Sequence, residues 1–448
     1  MKLGTNLTEG SIFKKFCLFV VPVILSGFLQ QLYNTADTIV VGRFAGDTAL
    51  AAVGATTVLT NLIVTLFIGL SVGTNVVCAR FFGSENKEGI ERALYTSVVL
   101  GIVLGIPLTF VGWFGSEYFL SLMGTPSDII KPAALYMKLY FLGVPATLIY
   151  NFGSAVLRAL GDTKRPLYIL TVAGIVNVIL NLICVIGFGL DVVGVAIGTI
   201  ASQVLSAIAV IAIFMQKAAE PRFRFSKLRT FKKELIMILA IGLPSGLNGI
   251  LFSLSNALTQ SAVNSFGKLT VAAHSVGWTF MGFCHLLITA GEQGVISFVG
   301  QNMGAQKYDR VKKTVNVALL FSAVTMIIFT TALVWKAEWV IGVFTKDAKV
   351  VEIGLVQFYN ALSVYALYVP SVIYGGALRG MGKAILPTVI NIIGICVLRV
   401  LWVTTVWPLN PTLEMVYYSF PLSWTASGIA MGIAYYIVKR KEFVGPKN

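Results

Sequence analysis

Residues 16–42 read FCLFVVPVILSGFLQQLYNTADTIVVG, and Asp37 is the single charged residue in this stretch. A helix crosses the hydrocarbon core of a bilayer with about 20 predominantly apolar residues. The stretch is long enough to do so, and no small-residue cleavage site follows it. We therefore expect a retained first transmembrane span and not a signal peptide.

Comparable apolar stretches recur along all 448 residues, of which 56% are hydrophobic and only 12% charged, with a mean hydropathy of +0.83. A soluble domain carries roughly 25% charged residues, so that class is excluded. Backbone polar groups in lipid must be satisfied within a helix, which predicts an all-α integral membrane protein. We expect twelve spans, at 13–41, 51–79, 93–116, 133–157, 166–187, 192–216, 235–260, 270–299, 315–335, 351–376, 385–408 and 413–438.

The net charge of +15 has a topological explanation, because basic residues collect in the cytoplasmic loops of membrane proteins. With the N-terminus inside, 26 of the 34 Lys and Arg residues fall in cytoplasmic segments and seven in outer loops. This asymmetry predicts that both termini are cytoplasmic. It also explains the basic charge without a nucleic-acid partner.

The chain repeats itself, since LRALG at 157–161 returns as LRGMG at 378–382. Each half holds six predicted spans, so both halves begin on the same side of the membrane. We expect an N-terminal lobe at 1–216, a basic cytoplasmic linker at 217–234 and a C-terminal lobe at 235–448. Parallel repeats of this kind favour a transporter that works by alternating access, and a duplicated scaffold or enzyme is the alternative. Pro22 and Pro244 stand at matching places inside spans, where proline permits a bend.

Charged side chains inside a membrane are rare and usually functional, which makes Asp37 the first candidate site residue. Tyr33 and Asn34 lie one helical turn before it on the same face, and Gln30 extends that polar stripe by another turn.

The fifth and sixth spans carry polar pairs at helical spacing. Asn177 and Asn181 form one pair, and Thr199 and Gln203 form the other. Counted from the outer span ends at 1.5 Å per residue, Asn181 and Thr199 reach a depth similar to that of Asp37. We interpret the group as an H+ or Na+ site, with a solvated aspartate or a structural hydrogen-bonding cluster as the alternative.

The second half has no counterpart to Asp37. Glu292 in the eighth span is the other candidate carboxylate, with a place at the cavity mouth or pairing with a neighbouring backbone group as the alternatives. Arg399 in the eleventh span must pair or face water. Both are candidate substrate-cavity residues, as are Gln30 and Gln203. His274 and His285 are read as core or cavity histidines, with a proton relay as the alternative.

Several motifs resemble the multidrug and toxic compound extrusion (MATE) transporters. They are QQLYNTADTIVVGRFAGDTALAAVGAT at 30–56, LRALGDTKRP at 157–166, LRGMGKAILP at 378–387 and FVGQNMGAQKYDRV at 298–311. The resemblance covers essentially the whole chain. It implies a V-shaped, two-lobed bundle that exports bulky organic, often cationic, compounds in exchange for H+ or Na+.

The same resemblance implies roles for individual residues. The coupling aspartate of many members maps onto Asp37, and their fifth-span asparagine and sixth-span threonine map onto Asn177 and Thr199. Some members carry a second aspartate on the fifth span where this chain has Asn181. Other members use acidic residues in the second lobe, which this chain lacks at those places. These departures leave H+ and Na+ coupling open.

Two other functions fit these spans less well. A flippase for lipid-linked saccharides would need a strongly basic cavity, whereas the spans contain Arg399 alone. A membrane-embedded enzyme would need a nucleophile and base or paired carboxylates, which the spans do not bring together. The expectation is therefore a monomeric, non-enzymatic transporter in a bacterial inner membrane. We expect it to act on small organic substrates, with no cofactor and no metal except a coupling Na+ at Asp37.

Overall fold

The computed structural model describes residues 4–217 and 219–443, and the regular structure within them is helical throughout. The predicted all-α fold is confirmed. Twelve long helices are present: α1 Ile12–Ala45, α2 Asp47–Gly83, α3 Lys87–Leu122, α4 Ile130–Ala159, α5 Lys164–Gly187, α6 Asp191–Met215, α7 Lys232–Asn264, α8 Lys268–Gly304, α9 Tyr308–Trp335, α10 Ala348–Gly380, α11 Ile385–Leu409 and α12 Leu413–Phe443.

In the described part of the chain, α1 to α11 are long and apolar enough to cross a membrane. The twelfth predicted span, 413–438, also forms a helix, but α12 is less apolar than the other eleven. Its 31 residues include Tyr417, Tyr418, Ser423 and Trp424, whose polar groups lower its hydropathy. At 1.5 Å per residue its length is about 46 Å, which is still ample for a bilayer.

The helices extend beyond the predicted spans because hydropathy detects only their apolar centres. The third span was expected from residue 93, whereas α3 begins at Lys87. Asn86 caps this end, and its side-chain oxygen accepts a hydrogen bond from the Gly89 backbone N–H at 2.8 Å. Such polar caps satisfy the free N–H groups of a first turn, outside the apolar core of the helix.

The repeated LRxxG motif forms the same helix end in both halves. After α4, the Gly161 N–H bonds the Arg158 carbonyl and the Asp162 N–H bonds the Leu157 carbonyl, each at 2.9 Å. After α10, Gly382 bonds Arg379 at 2.7 Å in the same way. Both glycines have positive φ, +82° and +78°. This arrangement is the Schellman C-cap, which requires a residue in the left-handed conformation.

The chain divides into two compact units. The first contains Val21–Gly242, and the second contains Leu7–Val20 and the residues from Leu243 onward. Each boundary therefore falls inside a long helix, directly before Pro22 in α1 and Pro244 in α7. The lobe limits proposed from the sequence stay predictions, and their residues 1–3, 218 and 444–448 lie outside the described residues.

Helix α4 is central to the first unit, where it packs on α2, α3 and α6, while α5 packs on α6. Glycine allows the closest of these contacts. A Cβ atom built on Gly105 of α3 would lie 2.6 Å from the Pro145 Cα of α4. Small residues at helix interfaces let membrane helices approach closely, so this packing needs glycine at that position.

Helix α8 has the central place in the second unit and packs on α9 and on both parts of α10. The α10 helix is interrupted, because a π-helical turn at Phe358–Leu362 and a 3-10 turn at Tyr365–Tyr368 separate its two α-helical parts. The following part, Val369–Gly380, packs on α12. Phe16 adds an aromatic contact, with its ring centroid 5.6 Å from that of Phe298.

Candidate functional site

The first unit brings Asp37 together with the two asparagines of α5. The Asn181 side-chain nitrogen donates to Asp37 Oδ1 at 2.5 Å. In the amide orientation that satisfies its neighbours, the Asn177 nitrogen donates to the same oxygen at 2.8 Å. The Asn177 oxygen then accepts from the Thr199 backbone N–H of α6 at 3.3 Å. One carboxylate oxygen thus links helices α1, α5 and α6.

Local helix geometry explains this meeting of side chains. Asn177 and Asn181 are separated by one turn of α5, so both face α1 and α6. Gly198 on α6 provides the space, because a Cβ atom there would lie 2.0 Å from Asn181 Oδ1. Replacing Gly198 with any other residue would place a Cβ atom there and displace Asn181 from Asp37.

Helix α4 contributes a residue that sequence reasoning missed. The Tyr136 side chain is buried, and its hydroxyl lies near the Thr199 side chain and near enough to Asp37 to interact with its charge. Its ring lies beside that of Tyr140, with centroids 6.4 Å apart. The i, i+4 spacing of these tyrosines is the same signal that identified the asparagine pair. Comparing the depth of the fourth span would have found them.

The other first-unit candidates lie apart from the carboxylate. Tyr33 points to α5, where its hydroxyl donates to the Thr171 carbonyl at 3.3 Å. Asn34 is exposed, and its backbone carbonyl accepts from Thr38 at 2.9 Å. Gln30 is exposed as well. Gln203 faces α4 at Gly143, and its buried Oε1 has no hydrogen-bond partner within the described residues.

The environment of Asp37 is polar but neutral. Its described partners are amide and hydroxyl groups, and no Lys or Arg in the described ranges forms an ion pair with it. The described residues also contain no group of three or more His, Cys, Asp or Glu arranged to hold a metal. Asp37 is half-buried, and a carboxylate that is partly desolvated without a cationic neighbour is unfavourable, so a monovalent cation or a proton would stabilise it.

The candidate residues of the second unit pair with other side chains. Glu292 of α8 pairs with Arg379 at the end of α10, and their side chains are 17% and 7% exposed. The sequence offered a neighbouring backbone group as the pairing partner of Glu292, whereas the partner in the structure is an arginine side chain. Helical side chains point back toward the N-terminus, so an arginine in the last turn can reach into the bundle. His274 bonds the Tyr417 hydroxyl at 3.0 Å, as expected of a satisfied core histidine.

Arg399 and His285 occupy one aromatic cluster. Arg399 is 1% exposed and donates to Asn256 Oδ1 of α7 at 2.9 Å and to Ser423 Oγ of α12 at 3.0 Å. The His285 ring stacks on Phe252 with centroids 5.7 Å apart. The sequence predicted that Arg399 must pair or face water. In the structure it pairs by hydrogen bonds to neutral side chains and not with a carboxylate.

A protein-family model described as MatE matches the chain twice, over residues 22–183 and 244–404. The chain belongs to the MatE family. The two matches coincide with the internal repeat, and the first contains Asp37 while the second contains Arg399. This membership makes the protein a multi-pass membrane transporter and not an enzyme.

Curated relatives from bacteria agree with the family. The chain is 28% identical to the probable multidrug resistance protein YoeA of Bacillus subtilis over 87% of this chain and 85% of the relative. It is 28% identical to the probable multidrug resistance protein YpnP of the same organism, over 88% of each. The multidrug export protein MepA of Staphylococcus saprophyticus is 24% identical over 88% of each chain.

Solved structures show the same fold. A MOP superfamily transporter from Pyrococcus furiosus superposes with a TM-score of 0.92 at 21% identity, covering 98% of both chains. The outward-facing conformation of a multidrug resistance MATE family transporter superposes with a TM-score of 0.91, again at 21% identity and 98% coverage. The Asp37 site therefore lies in a transporter fold.

Proposed function

We propose that this transporter exports small organic cations from the cell in exchange for H+ or Na+, with Asp37 as the residue that couples the two movements. The observation that carries the proposal is the pair of hydrogen bonds that the side-chain amides of Asn181 and Asn177 donate to Asp37 Oδ1. The names of the curated relatives, which are multidrug resistance and multidrug export proteins, support the same function.

The chemistry of the site suits exchange. An ionised carboxylate accepts hydrogen bonds only, and here both amides donate to the same oxygen. A proton arriving at Asp37 would remove its charge and weaken these bonds. A Na+ ion would instead be bound by oxygen atoms, which Asn177 and Asn181 can supply by rotating their amide groups. Either event removes the uncompensated charge, so the carboxylate can bind the coupling ion or attract an organic cation, but not both strongly.

Other first-unit residues extend the proposed site. Tyr136 and Thr199 complete the polar shell around Asp37, and Gln203 presents a buried oxygen that could accept from a substrate. Tyr33, Asn34 and Gln30 occupy the α1 stripe leading to the carboxylate. We propose that these residues orient substrate or ion and that Asp37 alone changes charge.

The predicted orientation gives the direction of transport. With both termini in the cytoplasm, the basic loops face the negatively charged inner leaflet, and substrate leaves the cell as the cation enters. Alternating access of the two repeats would expose the site to each side in turn. The bacterial relatives favour a bacterial inner membrane as the location.

Transport by purified protein in proteoliposomes tests this proposal. Vesicles loaded with acid or with Na+ are diluted into radiolabelled tetraethylammonium or ethidium, so that outward flow of the coupling ion drives uptake. Asp37→Asn keeps the side-chain shape and removes the charge. Asp47→Asn is the matched control, because Asp47 is exposed at the start of α2.

We expect one of the two gradients to drive concentrative uptake in wild type and in Asp47→Asn, and Asp37→Asn to fall to the level of empty vesicles. Normal driven uptake by Asp37→Asn would show that the coupling residue is elsewhere. Movement of a lipid-linked saccharide without organic cation transport would replace the antiporter with the flippase.

A further inference from the structure

Arg399 is a buried cation with an incomplete set of partners. Its Nε and Nη1 groups donate to Ser423 and Asn256, whereas Nη2 is buried and has no hydrogen-bond partner among the residues that the structure describes. A guanidinium group presents five N–H donors and does not lose its proton in proteins. One end of this planar group therefore offers a donor that the second unit leaves unused.

No negative charge in the described chain compensates Arg399. Both of its partners are neutral, and the described ion pairs do not include it. The same unit neutralises its other buried arginine, because Arg379 pairs with Glu292. A desolvated charge without a counter-charge costs several kcal/mol. The contrast between two buried arginines in one unit indicates that the counter-charge of Arg399 is supplied by a ligand.

Aromatic rings surround the guanidinium group. Its Cζ atom lies 4.3 Å from the Phe420 ring centroid, 5.8 Å from that of Phe252 and 6.0 Å from that of Trp424. Cation–π contacts stabilise the charge by about 0.5–2 kcal/mol, which offsets only part of its desolvation. Trp424 also contributes a second donor, because its buried Nε1 has no partner within the described residues.

The residues on the α7 side of the cluster are partly exposed. Phe252 and Asn256 have intermediate exposure, whereas Trp424 and Arg399 are only 1% exposed. On the α10 side, Tyr368 belongs to the 3-10 turn that interrupts the helix, and its ring is stacked with that of Phe252 at 6.3 Å. Irregular backbone at membrane depth occurs where it is buried in protein or lines a cavity. The α7 side is thus the less buried side of the cluster, and it lies beside the break in α10.

We infer that Arg399 and Trp424 form a binding site for an organic carboxylate within the second unit. The unused Nη2 group can donate to a carboxylate oxygen, the indole N–H adds a second donor, and the surrounding rings accommodate an apolar or aromatic body. We assign the carboxylate to an exported, zwitterionic substrate, and this assignment rests on the proposed function. Binding of the carboxylate does not require transport or Asp37.

Calorimetric titration of the purified full chain in detergent, with benzoate as the probe, tests the inference. Benzamide has the same shape without the charge, and sodium chloride at equal concentration tests for a simple halide site. Arg399→Gln removes the guanidinium group. Arg440→Gln is the matched control, since Arg440 is exposed in the last turn of α12.

We expect wild type and Arg440→Gln to bind benzoate in preference to benzamide and with little competition from chloride. Arg399→Gln should weaken benzoate binding by about tenfold or more, as expected for a lost charge-assisted hydrogen bond. If Arg399→Gln does not fold, Trp424→Phe carries the test, because it removes one N–H and keeps a ring. We expect it to weaken binding by about fivefold.

Absence of benzoate binding, unchanged affinity in the folded Arg399→Gln protein, or displacement by equimolar chloride would each overturn the carboxylate site. Arg399 would then serve to join α7, α11 and α12. The titration is repeated with Asp37→Asn, in which we expect benzoate binding to be retained. Retained benzoate binding in Asp37→Asn would show that the carboxylate site is independent of Asp37, so failure of the proposed antiport, seen as normal driven uptake by Asp37→Asn, is distinguished from failure of this inference, seen as absent benzoate binding.

Discussion

Removing one member of the Glu292–Arg379 pair should destabilise the second unit more than removing one member of an exposed ion pair does. Both side chains are largely buried, at 17% and 7% exposure. Breaking a buried pair typically costs about 3–5 kcal/mol, because the remaining charge is uncompensated. Since Glu292 keeps some exposure, we expect Glu292→Gln to lower the free energy of unfolding by about 3 kcal/mol, at the low end of that range.

The two single variants should differ. Glu292→Gln leaves an arginine that cannot lose its proton, whereas Arg379→Gln leaves a carboxyl group that can take up a proton and become neutral. Arg379→Gln should therefore cost less than Glu292→Gln. The double variant carries two neutral amides and should recover part of the loss, giving a coupling free energy of about 2 kcal/mol in a double-mutant cycle.

Equilibrium unfolding of the four proteins in mixed micelles measures these values. Glu442→Gln is the matched control, because Glu442 forms a 2.9 Å pair with Lys383 whose side chains are 36% and 49% exposed. We expect that exposed pair to contribute less than about 1 kcal/mol. Equal effects of Glu292→Gln and Glu442→Gln, or strictly additive single variants, would refute the argument that burial makes the Glu292 pair strong.

Three further predictions follow from the first unit. Asn181→Leu removes a hydrogen bond from Asp37 and should lower gradient-driven uptake about tenfold in proteoliposomes, while the folded yield stays normal; unchanged uptake would show that this bond is not needed. Tyr136→Phe deletes one hydroxyl, and we expect a several-fold higher KM for the coupling ion; an unaltered KM would separate the tyrosine from the site. Gly161→Ala places a Cβ on a residue with φ of +82° and 2.3 Å from the Thr5 carbonyl oxygen, so it should lower the free energy of unfolding by about 1–2 kcal/mol. Gly54→Ala in α2 is the control, because open space surrounds Gly54, and it should be neutral or stabilising. Equal melting temperatures of the two variants would contradict this prediction.

The fold was accessible to sequence reasoning because spanning segments must be apolar and helical. Hydropathy located α1 to α11, and the repeat of LRALG as LRGMG showed the duplication that the MatE match then found independently. The helix ends were less accessible, since caps such as Asn86 are polar and lie outside the apolar centre. The interruption of α10 at Phe358–Tyr368 left no signal that we recognised, because that stretch contains neither proline nor glycine.

The site was predicted only where depth and helical spacing were compared. That comparison identified Asn177, Asn181 and Thr199 as neighbours of Asp37, and the structure places them there. It missed Tyr136, because the fourth span was not aligned in depth with the others. Roles remain predictions, because hydrogen bonds to a carboxylate do not themselves distinguish an ion site from a structural cluster.

The two halves share a fold but carry opposite unpaired charges. Asp37 lies in the first unit, where the repeat places Leu258 or Thr259 in the second. Arg399 lies in the second unit, where the repeat places Val178 in the first. Since the equivalent helices form without these charges, we expect that folding does not require either one, because burying a charge costs free energy.

A buried charge that the scaffold does not need is best explained by a ligand of opposite charge. We propose that this ligand is the coupling ion or the organic cation for Asp37, and a carboxylate for Arg399. Neutral replacements should therefore stabilise the empty protein while they remove ligand binding. If Arg399→Gln instead lowered the unfolding free energy by as much as Glu292→Gln does, Arg399 would be a structural residue, and its charge would not indicate a ligand.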